Sequence, residues 1–444
     1  MAHATPLATR LRRLFNVQPG EAGVVAAGLL MFFLLFCGYF MLRPVREVMG
    51  LAGGVNNLQW LFTATFVATL VVLPLFGALA SRIARAPLVA WVYGFFVLNL
   101  AGFALALQLR PDDVWVGRVF YVWLSVFNLL SISLAWSVLA DVFTSRQAKR
   151  LFAIMAGGAS LGGLAGPLLG TLLVAPLGHA GLLLLSALML AASTAAALGL
   201  LRWRGHHPLA REEAAERRKP LGGNPWSGAT AVFRSPYLMG IALFVILLAS
   251  ANTFLYFEQA RIVAEHFPDR TTQTQVFGML DAVVQTLAIL TQLFFTGRLA
   301  QRLGVSVLLV AVPLVVAAGF LALALAPVFA VFAVVMVVRR AGEYALVRPG
   351  REILFTVIPA EQKYKAKNFI DTVVYRGGDA VSGWLKRGLD LLGDHPALAM
   401  FIGAGLAVGW AATGLSLGRA QRRREQAEVA AQAQPAPLPS TGPG

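Results

Sequence analysis

Between residues 22 and 417 the chain returns repeatedly to apolar runs of bilayer-crossing length, with most charge held in the breaks between them. In hydrocarbon every backbone N–H and C=O must be paired within the chain, so such runs become helices of about 20 residues. Spans are read at 22–42, 58–80, 87–109, 114–140, 150–175, 179–201, 236–257, 275–297, 304–325, 327–357, 365–392 and 397–417. The expected fold class is an all-α polytopic membrane protein. Only 13% of residues are charged, about half the share usual in soluble domains. The net charge of +16 and pI near 10.8 therefore belong to cytoplasmic loops rather than to a nucleic-acid surface. Cys37 is the single cysteine, so no intrachain disulfide is expected and the thiol is read as a packing group. The first apolar stretch is longer than the about 7–15 residues of a signal-peptide core and runs straight into Arg43, so no cleaved leader is expected.

Six spans precede and six follow the longest internal loop, near 202–235, which carries Arg211-Glu212-Glu213 and Arg217-Arg218-Lys219. The expected organisation is an N-terminal segment over 1–21, a six-helix bundle over 22–201, a linker over 202–235, a second six-helix bundle over 236–417 and a disordered tail over 418–444. With the N-terminus in the cytoplasm, twenty-eight of the 37 Lys and Arg fall on that side and eight on the other, with Arg376 inside span eleven. That asymmetry puts both termini in the cytoplasm.

Charge inside a span needs a reason, because an unpaired ion in hydrocarbon costs several kcal/mol. Arg43-Pro44-Val45-Arg46-Glu47 reappears as Arg348-Pro349-Gly350-Arg351-Glu352, each read at the end of a span. On oppositely directed helices the two lie near opposite membrane faces. That suits Arg46-Glu47 as an outer gate and Arg351-Glu352 as an inner one; helix-end caps are the alternative. In span ten only Val328 to Val338 precede Arg339-Arg340, and about eleven residues rise half-way through a bilayer. Arg340, Glu343 and Tyr344 are thereby set near the midplane, with Arg340, Tyr344 and Arg348 on one α-helical face. An interrupted apolar segment points to a transporter's binding site; a salt-bridged cytoplasmic cap is the competing reading. In span eleven Lys367, Asp371, Tyr375 and Asp379 recur every four residues, with Arg376 almost opposite. Lys367–Asp371 also reads as a plain surface ion pair. Asp281, near Gln285 in span eight, is read as a lone buried acid that carries a proton or bonds across helices. Tyr39 lies one turn before Arg43 on the same side of span one. Asn252, Tyr256 and Glu258 are weaker candidates, and His206-His207 is read as a solvated loop pair.

Gly77-Ala78-Leu79-Ala80-Ser81-Arg82 after span two and Gly297-Arg298-Leu299-Ala300-Gln301-Arg302-Leu303-Gly304 after span eight resemble the loop motif of the major facilitator superfamily, with Ser81 and Gln301 replacing its Asp. A tight turn is expected there, its Arg anchoring neighbouring helix ends. Gly162-Gly163-Leu164-Ala165-Gly166-Pro167-Leu168-Leu169-Gly170 is similar to a span-five motif of facilitator antiporters, serving either packing or coupling. Leu42 to Glu47, Asp141 to Phe152 with Gln147-Ala148-Lys149-Arg150, and Tyr344 through Asp371 together resemble the ATP/ADP translocase family. The resemblance covers nearly all twelve spans. It implies a facilitator fold of two six-helix bundles that moves nucleotides by alternating access. Arg46 then stands at the place of a nucleotide-binding basic residue and Arg351-Glu352 at that of a Lys-Glu pair. The chain departs from the family pattern at Tyr121, Ala251 and Asp379, where the family has an acid, an acid and a Lys.

The expected function is secondary transport of an anionic metabolite, a nucleotide above all, by a monomer in a bacterial inner membrane. Arg43, Arg46, Arg340, Glu343, Tyr344, Arg348, Arg351 and Arg376 are assigned to substrate, since guanidinium groups suit phosphate and carboxylate. Glu47, Asp281, Glu352, Lys367, Asp371 and Asp379 are assigned to gating or coupling. No cofactor is expected. The sequence has no Walker-type loop for ATP-driven pumping, and no zinc-ligand spacing or nucleophile–base pair for an enzyme. The alternatives are a proton-coupled carrier of another organic anion, titrating Glu47, Asp281 or Glu343, and a non-transporting sensor or scaffold.

Overall fold

A computed structural model describes residues 17–18, 20–205, 227–393 and 396–433; the loop charges at 211–219 and His206-His207 lie outside the described residues. Span one is Ala22–Ala52, span two Leu58–Arg82, span three Arg85–Leu109 and span four Val114–Val142. Spans five and six form one run, Ser145–Gly205, broken at Gly178, whose φ of +67° is a left-handed conformation that only glycine adopts freely. A short amphipathic helix, Ser227–Arg234, leads into span seven, Pro236–His266. Span eight is Arg270–Thr291 continued by a π turn, Gln292–Thr296, and Gly297–Leu303; span nine is Val305–Leu325. Span ten is Phe329–Gly342, a π turn at Glu343–Val347, and Arg348–Leu354. Span eleven is Ala360–Phe369, a π turn at Ile370–Val374, and Tyr375–Leu391; span twelve is Pro396–Ala433. Among the described residues nine helices are long and apolar enough to cross a membrane. Gly178 divides one of them into two crossings, and the polar spans ten and eleven complete twelve. Asp113, Ser235 and Asp269 start spans four, seven and eight by accepting the N–H of Trp115, Leu238 and Thr272.

Two separate hydrophobic cores, one drawn from Val24 to Leu201 and one from Val232 to Leu417, define two six-helix halves. The outside is apolar, with Trp91, Leu98, Leu188 and Leu293 at least two-thirds exposed, while buried arginines gather inside. This inversion suits hydrocarbon as solvent. Within the first half, span five meets span one through a stripe of glycines. A Cβ on Gly158, Gly162 or Gly166 would stand 2.3, 2.4 or 2.5 Å from the carbonyl oxygen of Leu29, Phe33 or Cys37, so only glycine permits this approach. These contacts support the packing role of the span-five glycines, and Cys37 is buried in the same seam.

Helix directions alternate, so the start of span one and the end of span twelve share one membrane face, here the termini face. Several polar contacts between halves lie toward the opposite, far face. His179 bonds Thr274 (2.9 Å), Arg387 donates to Asn56 (3.0 Å), Trp384 donates to Thr63 (3.0 Å), and Arg270 pairs with Asp112 (3.4 Å). Beneath them two small apolar clusters cross the halves. One joins Leu58, Leu61 and Tyr121 to Phe257 and Ala260, and the other joins Val48 to Val263 and Phe277.

Several expectations are corrected. Span one does not end near Arg43. Its apolar and small residues continue the helix to Ala52, so Arg43 to Glu47 lie inside it with Pro44. The segment after 417 is helical to Ala433 rather than disordered, because Arg, Gln, Glu and Ala there are good helix formers. The two facilitator-type loops are themselves helical up to Arg82 and Leu303, and the turns fall at Ile83-Ala84 and at Gly304, whose φ is +77°. Anchoring comes from other arginines. Arg85 holds Asp141 at 2.9 Å with Arg204 at 3.7 Å, and Arg422 donates to Ser306 at 2.9 Å.

Candidate functional site

Between the halves lies a cavity of about 1140 Å³, walled by spans one, two, four and five from the first half and seven, eight, ten and eleven from the second. The far-face contacts close it on one side, and it extends to Arg351, Glu352 and Ile353 at the termini-face end of span ten.

Charge enters from three helices. From span one, Arg43 donates to the Tyr344 hydroxyl (3.3 Å) and stands 3.8 Å from Asp281. One turn on, Arg46 pairs with Glu47 (2.6 Å), donates to Ser125 (3.2 Å) and lies over the Tyr121 ring at 4.7 Å. From span ten, Arg340 pairs with Asp281 at 2.5 Å. Arg339 pairs with Glu343 at 3.3 Å and donates to Asn252. Arg348 stacks over Tyr344 at 4.4 Å, and Arg351 pairs with Asp371 at 3.2 Å. From span eleven, Arg376 lies 3.6 Å from Asp379, which accepts from Thr253. Low dielectric makes such pairs obligatory, since an uncompensated ion here costs more than the pair contributes.

All eight residues assigned to substrate line this cavity, as do Glu352, Asp371 and Asp379. Glu47, Asp281 and Lys367 stand directly behind the wall. Glu47 is buried between Arg46 and the hydroxyl of Tyr256, which also meets the Tyr121 hydroxyl (3.1 Å), so this group ties span one and span four to span seven. Asp281 is not a lone acid: it is held by arginines from both halves. Lys367 and Asp371 do not pair with each other. Lys367 reaches Glu352 at 2.5 Å and Asp371 reaches Arg351, both on span ten.

The α-helical stripe expected for Arg340, Tyr344 and Arg348 is altered by the π turn at Glu343–Val347, and that expected for span eleven by the turn at Ile370–Val374. A π turn takes in one extra residue, which rotates the succeeding residues by about 100° of α-helical phase. Tyr375, Arg376 and Asp379 all follow the turn and keep their regular spacing, but the shift brings Arg376 to the phase that Tyr375 would hold on a regular helix, in line with Asp371. Arg339, which the sequence did not single out, lines the cavity beside Arg340.

Other lining residues escaped the sequence reading. Tyr121, Ser125 and Asn128 follow i, i+4, i+7 in span four, and Thr65 and Thr69 follow i, i+4 in span two. That spacing of polar residues in apolar spans was the available signal. Of the three departures from the translocase pattern, Tyr121 and Asp379 line the cavity, while Ala251 is buried beside Asn252, which does.

A family model for the Major Facilitator Superfamily matches residues 28–342. No curated protein matches the sequence. Among solved structures, a bacterial homologue of the human lysosomal transporter Spinster, in an inward-facing and unoccupied conformation, aligns with a TM-score of 0.57 at 15% identity, covering 94% of this chain and 100% of that one. A bacterial homologue of the iron transporter ferroportin in an inward-facing state aligns with a TM-score of 0.62 at 14% identity, covering 89% and 100%. A bacterial metal transporter aligns with a TM-score of 0.59 at 12% identity, covering 90% and 99%. At these identities the likeness concerns the fold alone.

Proposed function

The chain belongs to the Major Facilitator Superfamily and is an integral membrane secondary transporter rather than an enzyme, and on that premise we propose that its cargo is a small organic anion, specifically a nucleotide. The observation that carries this reading is the excess of cations at the cavity. Seven arginines and Lys367 meet six carboxylates there, namely Glu47, Asp281, Glu343, Glu352, Asp371 and Asp379. The buried Nε atoms of Arg46, Arg339, Arg340 and Arg351, with Nη2 of Arg340, have no hydrogen-bond partner among the described residues. Planar donor groups of this kind pair with phosphate or carboxylate in bidentate fashion. Phe36, Tyr39 and Phe40 line the same cavity on the turns of span one before Arg43, which gives a base a stacking surface beside its phosphates. The translocase-like segments supply the same indication from sequence.

The cycle we propose is alternating access. In the conformation described, the far face is closed by Tyr121, Tyr256 and Glu47, and Arg46-Glu47 acts as the outer gate. Among the described residues Arg351 and Glu352 are ion-paired only within the second half, as an inner gate is when disengaged. The excess of Lys and Arg on the termini face supports both termini in the cytoplasm, and the reading places the carrier as a monomer in a bacterial inner membrane. Proton coupling through Glu47, Asp281 or Glu343 is less well supported, because each is ion-paired and protonation leaves a buried arginine uncompensated.

The test is a thermal-shift screen of purified protein with ATP, ADP, sugar phosphates and dicarboxylates, followed by exchange assays in liposomes loaded with the stabilising compounds. A ligand at a hundred times its Kd stabilises by about 2.7 kcal/mol. Stabilisation by ATP and ADP with counter-substrate-dependent uptake supports the nucleotide reading. Stabilisation by other anions alone keeps the anion and rejects the nucleotide, and a response only to cationic or neutral compounds rejects both.

A further inference from the structure

A second cavity, of about 670 Å³, lies apart from the first, on the outer side of spans two and four near the far face. Its walls are apolar: Trp60 and Ala64 from span two, Val119 and Trp123 from span four. Trp60, Trp115 and Val119 are more than half exposed, so the groove opens sideways into the bilayer. Its rim is different. Arg118 lies with its guanidinium 4.8 Å over the Trp115 ring, and among the described residues it has no ion-pair or hydrogen-bond partner. The groove thus has one cationic end at the level where spans two and four begin, and an apolar body below. From Trp115 to Trp123 the helix rises about 12 Å, most of the roughly 15 Å depth of one leaflet's hydrocarbon.

We propose that this groove is a binding site for an anionic phospholipid of the far-face leaflet, with an acyl chain against Ala64 and Val119 and the phosphate on Arg118. Arginine and tryptophan at headgroup depth are suited to this, the first by reaching up to the phosphate and the second by lying at the interface. An unpaired cation favours a lipid whose net charge is negative over one whose ammonium neutralises the phosphate. Trp60 gives the site a consequence for the carrier. Its other edge meets Trp384 of span eleven at 4.8 Å, across the closed far face, so a lipid that fixes Trp60 favours the conformation in which that face is shut.

The test uses full-length protein stripped of lipid in detergent. Native mass spectrometry and melting temperature are measured with phosphatidylglycerol and with phosphatidylcholine. Phosphatidylglycerol is expected to be retained roughly tenfold more tightly, equivalent to about 1.4 kcal/mol. Arg118→Gln is expected to abolish that preference while still retaining lipid, and Ala64→Trp, which fills the groove, to lose the tightly held lipid of either kind. Melting temperatures without lipid establish that both variants are folded. Equal retention of the two lipids by the natural protein, an unchanged preference in Arg118→Gln, or undiminished retention in Ala64→Trp would each overturn the proposal.

Discussion

Arg340 and Asp281 form an ion pair at the cavity wall, 2.5 Å apart with both side chains buried, and Arg43 stands 3.8 Å from the same carboxylate. Replacing Arg340 with Ala leaves Asp281 with the more distant cation only. At an effective dielectric of about 20 the gross attraction on Asp281 falls from about 11 kcal/mol, with both arginines acting, to about 4.4 kcal/mol from Arg43 alone. Removing one partner of a buried pair costs about 3–5 kcal/mol net, and the remaining Arg43 contact sets the expected loss at the low end, about 3 kcal/mol. Asp281→Asn removes the charge that both arginines use and is expected to cost a similar amount. In the double variant no carboxylate is stranded, so the combined loss should be about 3–4 kcal/mol rather than about 6, a coupling of about 2–3 kcal/mol. Thermal or denaturant unfolding of the four proteins in one detergent measures the cycle. Losses that add to within about 0.5 kcal/mol would show that the pair is not coupled and would refute the Arg340–Asp281 pairing.

In a Cys37→Ser background, Glu352→Cys should react with a membrane-impermeant thiol reagent supplied from the termini face, whereas Glu47→Cys stays protected; labelling of both from one side removes the two-gate reading. Gly162→Ala sets a Cβ 2.4 Å from the Phe33 carbonyl oxygen, so spans one and five must separate by about 1 Å at a cost of about 1–3 kcal/mol; an unchanged melting temperature contradicts the close approach. Outside the membrane, burial raises the pKa of Glu21, but hydrogen bonds from Arg150, the Gln18 N–H and Gln147 outweigh it and hold the carboxyl below its ordinary value of 4.5. A depressed pKa contributes stability above the unfolded value that is lost as pH falls through the folded one. Glu21→Gln should therefore cost about 1 kcal/mol at neutral pH and flatten the acid side of the stability profile; a parallel profile counts against this clamp.

The membrane class and the twelve crossings were legible because hydrocarbon imposes one requirement on every span, and apolar length reports it directly. Arg340, Glu343 and Arg351 were legible for the converse reason, as charge in the wrong solvent. What sequence could not give was partnership. Asp281 meets Arg43 from 238 positions away in the other half, and no local spacing encodes that contact. Phase was hidden as well: a π turn has no residue signature, so Arg376, though assigned to substrate, was drawn almost opposite Asp371 on a helix of constant pitch, and Arg339 was not singled out. Span one ran past its expected end because Arg46 and Glu47 neutralise each other inside it, and charge then ceases to mark a boundary.

All three π turns among the described residues belong to the second half, in spans eight, ten and eleven, and each helix that has one also supplies part of the cavity wall. An extra residue in a helix is slack. In each of these helices it sets every side chain beyond the turn about 100° away from where a regular helix would hold it. Arg348 and Arg376 of the second half reach the cavity from beyond such turns, whereas the first half brings Arg43 and Arg46 in on a span held against its neighbour by glycines.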